Sequence, residues 1–184
     1  MTSPANNYFS LFGLPLSFDI DRNALDSAYR QLQQVSHPDR FVNEATEFQR
    51  QAVQQTAQNA EAHQVLKNPV QRACHLLAAK GLSFDLSSYT VTDINLLMEQ
   101  MTLREQLADI KDAADFDQLL EFADSVELLN KNTVSKIAKL LGQESWQESE
   151  ENLSDIKNHI CELQFLNKLV SDLDEVEEQL MQDH

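Results

Sequence analysis

Ala28-Tyr29-Arg30-Gln31-Leu32 leads into Ser36-His37-Pro38-Asp39-Arg40, and this stretch decides how the rest of the chain folds. Upstream of the proline, Leu25, Ala28, Tyr29, Leu32 and Val35 recur at i, i+3, i+4, i+7 spacing, the apolar stripe of a helix with Asp21 as its N-cap. That helix must end near His37, because a residue before proline is pushed out of the α region. Downstream, a further helix is expected over about 45–66, with a thin stripe of Phe48, Ala52, Ala62 and Leu66 and with Gln55 and Asn59 where a stronger core would stand. The loop between the two helices presents an imidazole, a rigid ring and a carboxylate. Pro38 fixes its own φ and restricts His37, so these groups are held before anything binds. A His and an Asp two apart can form a base and its orienting partner. Yet no Ser or Cys sits in a sharp turn to act as nucleophile, and no glycine loop cradles a phosphate. On residue chemistry alone the segment is a helix cap in a tight turn.

Working outward, Tyr8-Phe9-Ser10-Leu11-Phe12-Gly13 is a short helical piece stopped by glycine, and Pro15 keeps the chain out of helix after it. Pro69 suits the first turn of another helix and Gly81 its C-terminal stop. Residues 82–92 are a Ser/Thr-rich connector. Three long helical patterns follow, over about 93–111, 115–141 and 150–179. Short connections make successive helices antiparallel neighbours, so a three-helix bundle is expected. The first of the three carries two apolar stripes instead of one. Leu96, Leu103, Leu107 and Ile110 fall on one side, and Ile94, Leu97, Met98 and Met101 nearly opposite, continued by Glu105 and Asp109. Such a helix is either buried on both faces or keeps one face for a partner. In the last helix Leu153, Ile156, Ile160, Leu163 and Val170 form the expected core stripe, broadened by Leu166 and Leu173. Phe165 is expected to point away from it and to join the Leu97–Met101 face as one apolar patch rimmed by acids.

Composition agrees with helices. Three glycines and four prolines in 184 residues leave few turns for a many-stranded sheet. No stretch approaches the roughly 18–20 consecutive apolar residues of a membrane span, and the polar N-terminus lacks a signal-peptide pattern, so a soluble, intracellular protein is expected. The net charge of −16 is unevenly spread: residues 1–80 carry seven basic and seven acidic groups, and residues 81–184 carry seven basic and 23 acidic ones. An acidic half repels phosphate backbones, which argues against nucleic-acid binding, and the asymmetry suggests two units with different partners. Cys74 and Cys161 lack paired spacing, and the five histidines lack a metal-ligand spacing on one helix face, so no metal and no cofactor are expected.

The segment from Ala28 to Arg40 resembles the signature of J-domains, in which an Ala-Tyr-Arg-x-Leu helix leads into a His-Pro-Asp loop. Tyr8 to Leu14 resembles the family's opening helix. Ala62-His63-Gln64-Val65-Leu66-Lys67-Asn68-Pro69 with Arg72 resembles the end of its third helix. The resemblance implies that His37, Pro38 and Asp39 form a trigger loop that contacts a DnaK-class chaperone and stimulates its ATPase, with Arg30, Arg40 and Arg22 adding positive charge. Gln31 stands where many members carry a second basic residue and Ser36 where an aromatic is usual. His63 replaces a common Tyr and Asn59 a common Ile, which suggests a loosely packed J-domain.

Leu97-Met98-Glu99-Gln100-Met101-Thr102-Leu103-Arg104-Glu105 resembles the HscB branch more specifically, and Glu121, Phe122 and Phe165-Leu166-Asn167-Lys168-Leu169 fit the same pattern. That branch delivers the iron–sulfur scaffold IscU to the chaperone HscA. The resemblance implies a scaffold-binding set of Leu97, Met98, Met101, Glu105, Asp109 and Phe165, with Thr102 where an acid is usual. The expected architecture is all-α and two-lobed or L-shaped: a J-domain with its connecting helix over 1–80, a linker over 81–92, and an acidic antiparallel three-helix bundle over 93–184. The expected role is a cytoplasmic co-chaperone, not an enzyme, whose partners are an HscA-like ATPase and an IscU-like scaffold.

Overall fold

Asp21 caps a helix as its spacing predicts: its carboxylate accepts from the backbone N–H groups of Asn23 and Ala24, at 2.8 and 3.2 Å. The computed structural model describes residues 7–37, 45–143, 146–147 and 149–182. Among them lie seven α-helices and no strand: α1 (Tyr8–Leu11), α2 (Arg22–Ser36), α3 (Thr46–Lys67), α4 (Pro69–Ala79), α5 (Ile94–Ala113), α6 (Phe116–Leu141) and α7 (Glu150–Gln182). The chain divides into two compact units between Ser83 and Phe84. None of these helices is long and apolar enough to cross a membrane.

In the first unit α2 and α3 form a hairpin, with α1 and α4 packed on α3. Phe9, Leu25, Ala62, Leu66, Ala73 and Leu77 are wholly or almost wholly buried between them. Each large side chain so buried contributes about 1.5–3 kcal/mol. Gly13 and Gly81 end their helices at positive φ (65° and 81°), where a side chain would strain the backbone. His75 ties α1 to α4. Its ring stacks on Tyr8 at 4.4 Å, its Nε2 accepts the Tyr8 N–H at 3.2 Å, and burial pushes its pKa down, which favours the neutral acceptor.

Two residues of the expected hairpin stripes are exposed. Val35 is 64% exposed. At about 100° per residue it lies about 80° from Leu25, whereas Ser36 lies about 20° from it and is the buried residue of the last turn. Phe48 is 53% exposed. The end of α2 stands level with Thr56, whose hydroxyl donates to the Ser36 carbonyl at 2.9 Å. Phe48, eight residues earlier at ~1.5 Å per residue, therefore extends about 12 Å beyond that level.

The expectation of loose packing is also corrected. Asn59 is fully buried, its side-chain amide donating to Ser36 Oγ at 3.3 Å and its carbonyl oxygen accepting from Gln55 at 3.0 Å. Ser36 in turn donates to the Leu32 carbonyl at 2.8 Å. His63 is stacked on Tyr29 at 4.2 Å and hydrogen-bonded to Asp26 at 2.7 Å, a bond that holds the Asp26 carboxyl below its ordinary pKa. Ser36 and Asn59 satisfy one another and Asp26 satisfies His63, which removes the desolvation penalty each would carry alone.

In the second unit α6 lies along α7, and α5 packs on both. Leu107, Leu119, Phe122, Val126, Leu166 and Leu173 belong to their shared core. The turn from α5 to α6 passes through Ala114 at φ 50°, whose N–H caps the carbonyls of Ile110 and Lys111. The buried stripe of α7 departs from expectation at two places. Val170 is exposed while Leu169 is buried, and Phe165, expected to point outward, is only 9% exposed. Both differences have one cause. Along this stretch α7 is covered by two helices, so its buried face turns to include the residues that meet Leu103 and Leu107 of α5.

Between α6 and α7 the buried Glu162 accepts from Thr133 Oγ1 at 3.0 Å and pairs with His159 Nδ1 at 2.6 Å. Burial pushes its pKa up, but the bonds from His159 and Thr133 pull it further down, and the net shift is downward. A carboxylate with a depressed folded-state pKa stabilises the fold above its unfolded value, ~4.3, and loses that contribution as pH falls through the folded value. Glu162→Gln is therefore expected to be less stable than wild type at pH 7, with the gap closing as the solution is acidified below about pH 4.3. Urea unfolding at pH 7, 5, 4 and 3 checks this.

Candidate functional site

Two sets of side chains carry the functional expectations, one in each unit. In the first, His37 leaves α2 as its C-cap with extended backbone (φ −59°, ψ 127°), and Arg22 and Arg30 stand exposed on the same helix. Pro38, Asp39 and Arg40 lie outside the described residues. What is described is the root of their segment. The Thr56–Ser36–Asn59 hydrogen bonds clamp the last turn of α2 onto α3, fixing the direction in which the chain departs at His37. This clamp is a positioning feature that sequence reasoning missed. Its signal was present, since Ser36 and Asn59 are both polar where an apolar residue is usual, but nothing in their spacing shows that they touch. Arg72, matched in the third-helix resemblance, is structural: it is buried over the Phe18 ring at 4.8 Å and donates from Nη1 to the Leu66 carbonyl at 2.7 Å. Burial, and then the nearby Arg22, lower its pKa to about 10, so it stays charged at neutral pH.

In the second unit α5 starts at Asp93, which accepts from the Asn95 N–H at 2.8 Å. Its inner stripe (Leu96, Leu103, Leu107, Ile110) is buried. Its other stripe remains uncovered: Leu97 is 41% exposed, Met98 62% and Met101 63%, with Ile94 beside them. Glu105 and Asp109 continue that side of the helix and are exposed. Within its own unit, then, α5 is buried on one face only. Thr102 turns its hydroxyl back to the Met98 carbonyl at 3.0 Å, so it adds no charge to the face. The structure brings five of the six expected residues onto one surface. Phe165 belongs to the core beneath its edge, with the Arg104 guanidinium 5.1 Å above its ring centroid. Among the described residues, neither set holds a nucleophile beside a base. Cys161 is a free thiol that burial pushes up to about 11, leaving it protonated and unreactive at neutral pH.

Comparison with known proteins gives these two surfaces a context. Residues 92–174 match the family described as the HSCB C-terminal oligomerisation domain. The co-chaperone protein HscB homolog of Shewanella pealeana is 42% identical over 95% of this chain and 99% of its own length, and that of Vibrio atlanticus 39% over the same shares. The solved structure of chaperone HscB from Vibrio cholerae superposes with a TM-score of 0.80 at 35% identity, covering 95% of this chain and 99% of the other. The human co-chaperone HscB, at 21% identity, shares the fold with a TM-score of 0.79 over 94% of this chain and 83% of its own. Identity at this level, over 95% of the chain, makes it a member of the HscB family of co-chaperones.

Proposed function

We propose that this protein stimulates the ATPase of an HscA-like chaperone of the DnaK class and delivers to it an IscU-like iron–sulfur scaffold, aiding cluster transfer and the maturation of iron–sulfur proteins. The observation that carries this is the uncovered face of α5. Three large apolar side chains stay together in water beside Glu105 and Asp109, a combination that marks a surface covered by a partner. Leu97, Met98, Met101, Glu105 and Asp109 would touch the scaffold directly, with Phe165 supporting them from below. Residues 1–80 would face the ATPase through His37, Pro38, Asp39 and Arg40, helped by Arg30 and Arg22. A linker over 81–92 would join them to the scaffold-binding residues 93–184. The protein does no covalent chemistry of its own in this role and works in the cytoplasm. Holding the scaffold and the ATPase trigger in one chain raises the local concentration of one partner at the other.

Asp39→Asn tests the ATPase half. Its expected effect is a loss of roughly tenfold or more in stimulated ATP turnover, about 1.4 kcal/mol or more of coupling, with scaffold affinity unchanged. Wild-type stimulation by that variant overturns the assignment. The family description also names oligomerisation, which would seat a second copy on the same α5 face. Sedimentation of the protein alone distinguishes the two. A dimer that Leu97→Ala/Met98→Ala dissociates would favour self-association, and a monomer at all concentrations favours the scaffold.

A further inference from the structure

The apolar face of α5 has unlike borders. Glu105 continues it along the helix, and Asp109 stands just past its Met98 edge. On the other edge, Gln100 and Arg104 line a cleft of about 300 Å³, room for roughly ten water molecules. Phe165 and Lys168 of α7 supply the facing wall, and Tyr89 of the connector contributes to the rim. Among the described residues no carboxylate lines the cleft, although residues 81–184 hold 23 acidic groups and only seven basic ones. Two of those seven, Arg104 and Lys168, are gathered here. A third, Lys157, stands 6.0 Å from the Tyr89 ring centroid. Lys168 has an exposed i,i+4 ion pair with Asp172 at 2.7 Å, which solvent screens. The ion pairs described in this unit, Lys131–Glu127, His159–Glu162 and Lys168–Asp172, do not include Arg104. Its guanidinium lies over the Phe165 ring, 5.1 Å from the centroid, and a guanidinium so placed still carries N–H groups able to donate.

Building on the proposed docking of the scaffold to α5, we infer that the Arg104–Lys168 cleft receives a carboxylate side chain of that scaffold and so fixes its orientation across the face. At about 100° per residue from Leu97, Arg104 lies about 20° to one side of the apolar stripe. Met101 and Met98 lie about 40° and 100° to the other side, Glu105 at about 80° continues the stripe, and Asp109 at about 120° lies just past Met98. A docked partner therefore meets a cation on one flank of its apolar contact and an anion, Asp109, on the other. Only a surface with the reverse order of charges fits both flanks, and a partner turned end for end places like charges together. An arginine presents two parallel N–H donors to a carboxylate, and a partner docked over the cleft would strengthen the pair by displacing water from it. Phe165 would thus serve the interface by carrying Arg104.

The test is titration of the intact protein with a purified IscU-like scaffold, for wild type, Arg104→Gln, Lys168→Gln and Leu97→Ala/Met98→Ala, with thermal unfolding of each. Arg104→Gln is expected to weaken binding by about 10- to 100-fold, the loss of one charge-assisted hydrogen-bonded pair. Lys168→Gln, which touches no core ring, is expected to weaken it by about threefold to tenfold, with less dependence on salt than wild type. In scaffold variants with single Asp or Glu residues changed to Lys, one position is expected to lose affinity for wild type and regain it for Arg104→Glu. Unchanged affinity in both cleft variants, with binding lost in the Leu97→Ala/Met98→Ala variant, overturns the cleft inference and leaves the docking face standing. Unchanged affinity in all three overturns both. If Arg104→Gln unfolds, the result for Lys168→Gln and the scaffold charge reversals decides.

Discussion

Phe165→Ala is expected to lower the unfolding free energy of the second unit by about 3–5 kcal/mol, the usual cost of truncating a buried aromatic. The ring is only 9% exposed and belongs to one cluster with Leu103 and Leu107 of α5 and Phe122 and Val126 of α6. Removing it leaves a void where three helices meet and strips Arg104 of the surface it rests on. Phe165→Leu keeps most of the volume and is expected to cost less than about 1.5 kcal/mol. The chain has one tryptophan, Trp146, buried in this unit, so its fluorescence in urea follows the transition directly. A Phe165→Ala transition within about 0.5 kcal/mol of wild type would show that the ring is a surface feature after all. The consequence for function is practical. Weak scaffold binding by Phe165→Ala measures damage to the platform as well as loss of a contact, and only the leucine variant separates the two.

Helix positions were largely legible in the sequence, because their signals are local. Asp21, Asp93 and Asp115 cap as side chains with an oxygen at the right offset, and Pro69 and Gly81 bracket α4. The second stripe of α5 was legible for a related reason, but not that it is bare: the pattern left burial on both faces open, and only the placement of α6 and α7 on the other side decides it. Phe165 was not legible. A helical wheel has one apolar direction, whereas α7 meets two helices, and the second neighbour converts an off-stripe residue into a core residue. The Ser36–Asn59 contact joins residues 23 positions apart across a hairpin. Each looked like a packing defect alone, and only their pairing shows that the root of the His37 segment is held by hydrogen bonds. The cleft beside Arg104 likewise draws on α5, α7 and the connector, whose meeting no local pattern encodes.

Replacing Leu97, Met98 and Met101 together with alanine is expected to weaken scaffold binding by about 100- to 1,000-fold, or about 3–4 kcal/mol. Apolar residues at the centre of an interface often cost 1–2 kcal/mol each when truncated, and three adjacent ones do not add fully. The same triple variant should unfold within about 1 kcal/mol of wild type, since solvent-facing substitutions rarely matter more and alanine is a better helix former than leucine or methionine. All three side chains are more than two-fifths exposed and leave no cavity when shortened. This pairing of a large binding loss with a small stability loss is the reverse of what Phe165→Ala gives. ATPase stimulation by the protein alone should persist in the triple variant, because His37 and Asp39 are untouched, while the added stimulation by scaffold should fall with affinity. Titration calorimetry with the scaffold and steady-state ATP turnover with and without it measure both. If the triple variant binds as wild type does, the α5 face serves a different occupant. If it loses stimulation without scaffold as well, the two halves of the chain do not act as separable binding sites.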